Sequence, residues 1–131
     1  MNLPETTTET LRALANPPAH LFDVRAHGAV GDGKTIDSGA INRAIEAASQ
    51  AGGGTVLFPA GQYASYSIRL RSRVRLYLDP GAVIVAAEPP PLPSVTGGYD
   101  LPEDSIAARF PYQDFGHSHW RNSLIWGIDL H

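Results

Sequence analysis

DSGAINRAIEAASQAGGGTVLFPAG, residues 37–61, changes its hydrophobic period halfway along. Ala40, Ile41, Ala44, Ile45 and Ala48 recur at helical spacing on one face, and Arg43, Glu46 and Gln50 lie on the other. Asp37 or Ser38 is placed to cap the helix, since a short side-chain oxygen can accept from the free N–H groups of the first turn. Gly52, Gly53 and Gly54 stop it, because glycine tolerates the left-handed conformation at a helix end. Beyond this point the period is no longer helical. Thr55 to Phe58 reads as a strand ended by Pro59 and Gly61, and Ser67 to Leu70 as another. Val74, Leu76 and Leu78 alternate with Arg73, Arg75 and Tyr77, the period of two of a half-buried strand. Pro80 and Gly81 turn the chain into an apolar strand, Ala82 to Ala86. One helix followed by short, closely spaced strands excludes a doubly wound α/β sheet and suits a sandwich, a barrel or a β-helix.

Outward from this core the signals are weaker. Residues 1–20 are rich in Thr, Pro and Ala, and read as a leader or flexible N-terminus with at most a short helix around Thr8 to Ala15. Phe22 to Val24 reads as a short strand, and Gly28, Gly31 and Gly33 as a sharp turn needing positive φ. The spacing of these glycines is not that of a dinucleotide loop, and no βαβ unit follows, so a turn is the better reading. Asp32 is expected to fix that turn through its own backbone. Residues 88–104 form a Pro- and Gly-rich connection long enough to be functional or disordered. Asn122 to Asp129 resumes as a strand. Residues 21–131 are therefore expected to form one unit.

Composition excludes several classes. A net charge of −3 gives no long-range attraction to nucleic acid or an anionic membrane. No stretch approaches the ~18 apolar residues of a membrane span. Without cysteine there is no disulfide framework, zinc cluster or thiol nucleophile. The first residues carry neither the basic nor the apolar region of a signal peptide.

Three stretches, GAVGDGKTIDSGAINRAIEAA (28–48), GGGTVLFPAGQY (52–63) and IRLRSRVRLYLDPGAVI (68–84), together resemble the N-terminus of glycoside hydrolase family 28. These are the polygalacturonases and their relatives in the pectate-lyase-like β-helix superfamily. YQDFGHSHWRNSLIWGIDLH (112–131) is similar to the next coil in bacterial members. The resemblance implies an all-β, right-handed parallel β-helix with an N-terminal capping α-helix, here truncated after the first coils. An uncapped terminal coil would expose apolar surface and strand edges, so the chain is expected to be a fragment that aggregates through its open end. The family hydrolyses bonds between uronic acid or rhamnose units with inversion, using aspartates as general acid and base. Inversion needs two carboxyl groups about 6.5–9.5 Å apart, one protonated and one not. The N-T-D, D-D, G-H-G and R-I-K motifs that carry this chemistry are absent from residues 1–131. No catalytic residue is expected here, and the chain alone is expected to be inactive. No cofactor or metal is implied. The implied partner is a pectin-like polysaccharide, with no nucleic acid or membrane and an unread oligomeric state, and the parent is expected to be secreted or periplasmic. Related lyases and tailspike-like binding proteins open with similar wording, so those two readings stay open.

Two groups invite a functional reading. Arg73 and Arg75, with Arg69 and Arg71 before them, could form an anion-binding ridge for uronates, although a solvated outer face is the commoner use of such a pattern. His117 and His119 share one side of an extended segment before Trp120 and Asn122. They could line a sugar cleft, with Trp120 stacking on a pyranose and the others bonding hydroxyls. The alternative, slightly preferred, is a polar cluster that ties the long loop to the coil. Trp126, Tyr77 and Tyr63 read as interior or rim rather than as platforms.

Overall fold

The computed structural model describes residues 20–90, 98–101 and 121–131. The expected leader therefore lies almost wholly outside the described residues. Eight strands and one helix follow in order: β1 (Leu21–Asp23), β2 (Asp32–Ile36), α1 (Ser38–Gln50), β3 (Gly54–Phe58), β4 (Gly61–Ser65), β5 (Ile68–Arg69), β6 (Val74–Leu78), β7 (Ala82–Ala86) and β8 (Ile125–Trp126).

Among the described residues every strand pair is parallel. The strands stack as β1-β3-β6, β2-β4-β7 and β5-β8, the three sides of a coil that climbs one strand spacing per turn. Gly54 faces Val74, and Gly61 faces Ala82, so from the second coil to the third the spacing is about twenty residues on two sides. The first coil, which carries α1, is longer, with Leu21 facing Thr55. On the third side Ile68 faces Ile125, because the long excursion after β7 intervenes. This is the start of a right-handed parallel β-helix, as expected.

The helix closes one end of the stack. Ile41, Ala44, Ile45 and Ala48 are buried with Val24, Val56, Phe58, Tyr63 and Ile68 in one apolar cluster. The face expected from spacing is the buried face. Val56, Leu57 and Phe58 are all buried, the continuous apolar run of a strand covered on both faces. Tyr63 is fully buried beside Phe58, their rings edge-on at 5.4 Å. Its hydroxyl donates to the Pro59 carbonyl at 2.6 Å and accepts from Arg25 Nε at 3.2 Å, which satisfies the phenol inside the core.

Several boundaries differ from the sequence reading. The first strand ends at Asp23, where a 3₁₀ turn (Val24–His27) begins. β2 and β4 were not expected. The third side keeps only Ile68–Arg69 of the expected Ser67 to Leu70, and Ile125–Trp126 of Asn122 to Asp129, because only these residues find parallel partners. The helix cap also differs. Asp37 holds the cap position but makes no side-chain bond to the helix. Its carboxylate instead accepts from Val30 N and Gly31 N, each at 2.9 Å, and closes the glycine-rich turn. Ser38 Oγ accepts from Tyr66 N at 2.6 Å, so both capping candidates tie α1 to the coils. Gly28, Gly31 and Gly33 all have positive φ, as the turn requires. Asp32 fixes it, accepting from Lys34 N and Thr35 N, and these bonds hold its carboxyl below the usual carboxylate range.

Candidate functional site

The excursion between β7 and β8 meets the stack at β5. Ser67 Oγ, buried before β5, accepts from Asp100 N at 2.9 Å. Arg69 then reaches Asp100 in a bidentate pair, Nη2 to Oδ1 at 2.7 Å and Nε to Oδ2 at 2.8 Å. Trp126 Nε1, one rung further along the stack, donates to Asp100 Oδ2 at 2.8 Å. Tyr99 donates to the Ala87 carbonyl at 2.8 Å, and its ring meets Tyr66 edge-on at 5.2 Å. Burial raises the Tyr99 phenol above its ordinary pKa. Asp100 is the pin of this junction: three side-chain N–H groups converge on one carboxylate.

Of the four candidate sugar-binding residues, Asn122 lies here. Its amide donates to the Asp100 carbonyl at 3.0 Å, so it bonds the excursion to the coil. His117, His119 and Trp120 lie outside the described residues. Trp126 is half-buried at the rim, with the Arg121 guanidinium 5.5 Å from its ring centre. Asp100 was not singled out in the sequence, because nothing local marks an acid in a Pro- and Gly-rich stretch as the partner of an arginine 31 residues earlier. Among the described residues, no three His, Asp or Glu side chains converge on a point a metal could occupy.

The arginine series does not form a ridge. Arg69 is bound to Asp100, and Arg71 to Glu46 on α1 through bonds of 2.9 and 3.3 Å. Arg73 sits at φ 60° in the turn before β6 and donates to the Gly52 carbonyl, so strand alternation does not align it with Arg75.

Asp100 makes stability depend on pH. Its bonds to Arg69, and then to Trp126, hold its carboxyl below the usual carboxylate range, against the opposing effect of burial. A carboxyl depressed in the folded state stabilises above its unfolded pKa of about 3.9. That contribution is lost as pH falls through the lower folded value. Arg69 is half exposed, so solvent screening limits the ion pair itself to about 1 kcal/mol. Asp100→Asn is expected to lower the urea midpoint at pH 6, with the gap closing at an acid pH where the parent carboxyl is itself protonated in the folded state. Unfolding curves at the two pH values check this. An unchanged gap at low pH would assign the loss to packing.

A family model described as rhamnogalacturonase A/epimerase, pectate lyase-like, matches residues 21–89, from β1 through β7. Alginate lyase 7 of Azotobacter vinelandii is 57% identical over 42 residues, 32% of this chain and 5% of that protein. A probable polygalacturonase of Vitis vinifera is 33% identical over 122 residues, 86% of this chain and 22% of that one. The family 28 exopolygalacturonase of Yersinia enterocolitica superposes with a TM-score of 0.59 at 30% identity, covering 84% of this chain and 17% of its own. The chain thus spans less than a quarter of each of these relatives.

Proposed function

The chain belongs to the rhamnogalacturonase A/epimerase, pectate lyase-like family, and from that membership we propose that it supplies the cap and first coils of a hydrolase acting on pectin-type polysaccharides. One observation carries the choice of hydrolase. The likeness to the probable polygalacturonase runs over 86% of the chain, whereas that to the alginate lyase stops at 42 residues. The inverting step, with one carboxylic acid protonating the leaving oxygen and a carboxylate activating water, belongs to coils outside these 131 residues. In this role α1 shields the apolar end of the stack, and β6 and β7 offer parallel edges on which a following coil can build. A polysaccharide substrate supports a parent that is secreted or periplasmic; among the described residues no helix is long and apolar enough to cross a membrane.

The match to the alginate lyase supports a second reading, β-elimination on a uronate chain. The two differ in product. The full-length protein is expected to release saturated reducing ends of inverted configuration from polygalacturonate, and the 131-residue chain alone to release none. Product analysis by NMR and ultraviolet absorbance tests this. An unsaturated uronate end would establish the lyase, and no product from polygalacturonate or alginate would leave a binding protein.

A further inference from the structure

A groove of about 390 Å³ runs along α1 between its outer face and the Tyr66–Asp100 side of the stack. Its volume is that of a small-ligand site. The groups around it are held rigidly. Asn42 is bonded at both ends of its amide, donating to the Ser67 carbonyl and accepting from Arg69 N, each at 2.9 Å. The Tyr66 ring is fixed by its edge contact with Tyr99 and by its hydroxyl on the Glu88 carbonyl. It offers the groove a half-buried aromatic wall.

The charge around the groove is unbalanced. Glu46 is neutralised by Arg71, and Asp100 by Arg69. Arg43, by contrast, donates Nε and Nη2 to the neutral His27 carbonyl, and among the described residues it has no acidic partner. Its remaining nitrogen, Nη1, lies over Gly39, 3.2 Å from where a β-carbon would stand. Outside the adjoining residues and the helix's own backbone, no other described atom comes within 4 Å of that point, so the missing side chain leaves room beside the cation. An aromatic wall, a fixed amide and an arginine with no counter-charge among the described residues match a pyranose that carries a carboxylate.

We propose that this groove, on the capping helix, is a binding subsite for a uronate unit of a polysaccharide. The proposal rests on the pectin-type assignment only for the identity of the sugar. The carboxylate pairs with Arg43, and the ring lies against Tyr66.

Gly39→Glu tests it without endangering the fold. The residue lies in the first turn of α1, where an acidic side chain suits both the helix propensity and the helix dipole. The new carboxylate occupies the groove and takes the Arg43 charge. Binding of oligogalacturonate, oligomannuronate and a neutral oligosaccharide of equal length is measured by calorimetry on the 131-residue chain, with the melting temperature of each variant. Saturable binding of a uronate oligomer, but not of the neutral one, is expected. The preferred uronate distinguishes pectin from alginate as the source. Gly39→Glu weakens binding about tenfold or more without a lower melting temperature, and Gly39→Ala stays within about twofold. Equal binding of the neutral oligomer, no binding of any, or an unaffected Gly39→Glu overturns the proposal. The outcome is independent of the products that the full-length protein makes, so the two readings fail separately.

Discussion

Replacing Asp37 by Ala is expected to destabilise the chain by about 2–3 kcal/mol, the summed cost of two N–H groups left without their acceptor. The residue is 2% exposed and lies where the first coil passes into the helix. Its carboxylate accepts from Val30 N and Gly31 N, its backbone N–H donates to the Ala64 carbonyl at 2.8 Å, and its carbonyl accepts from Ile41 N at 3.0 Å. Only the first two bonds depend on the side chain. Asp37→Asn keeps one acceptor oxygen but turns an N–H₂ toward the other donor, so it is expected to recover less than half of the loss. Both changes are read as shifts of the urea midpoint at constant slope. A shift under about 1 kcal/mol for Asp37→Ala would mean that the turn is held by its glycines alone.

This residue also shows where sequence reasoning reached its limit. A short acid before a helix-periodic stretch is the standard signal for a cap, and position 37 is the cap position. Its oxygens serve a different set of N–H groups, six and seven residues back, because the preceding turn folds over the helix start. The same limit hid two strands. β2 starts just after Gly31, contains Gly33 and is largely exposed, and β4 is GQYAS, with one bulky residue in five. Neither carries an apolar alternation, since their pairing is set by the coils they stack on. What local pattern does specify came through. The buried face of α1, the glycine stop, and β3, β6 and β7 all follow from spacing, because there one face or one run of side chains decides burial. At the site, Asn122 was singled out in the sequence as a candidate for bonding sugar hydroxyls. Its partner Asp100 was not, because coil stacking joins them, and stacking leaves no mark at either position.

Gly53 carries the largest expected effect of a single methyl group, and its neighbour provides the control. Both glycines end α1 at positive φ, 91° for Gly52 and 122° for Gly53. A β-carbon at Gly52 would meet nothing within 4 Å, so Gly52→Ala costs only the strain of an L-residue at positive φ, about 1–2 kcal/mol. At Gly53 the same atom would stand 2.7 Å from the Arg73 carbonyl oxygen and 2.9 Å from Arg73 Cβ. That carbonyl cannot move aside freely, because it accepts from Gly54 N at 3.0 Å in the bond that leads into the β3–β6 ladder. Arg73 is itself at φ 60°, with its guanidinium on the Gly52 carbonyl, so the two turns are locked together. Relieving the clash must open the first rung between coils or push α1 off the end of the stack. Gly53→Ala is therefore expected to cost about 4 kcal/mol or more, at the severe end for one substitution. The difference between the two alanine variants isolates the coil-to-coil contact from the backbone term they share. Equal losses at both positions would show that the coils are not held at this spacing by the turn. A larger loss at Gly53, with reduced hydrogen-exchange protection of the β6 amides, would place the constraint at the first rung.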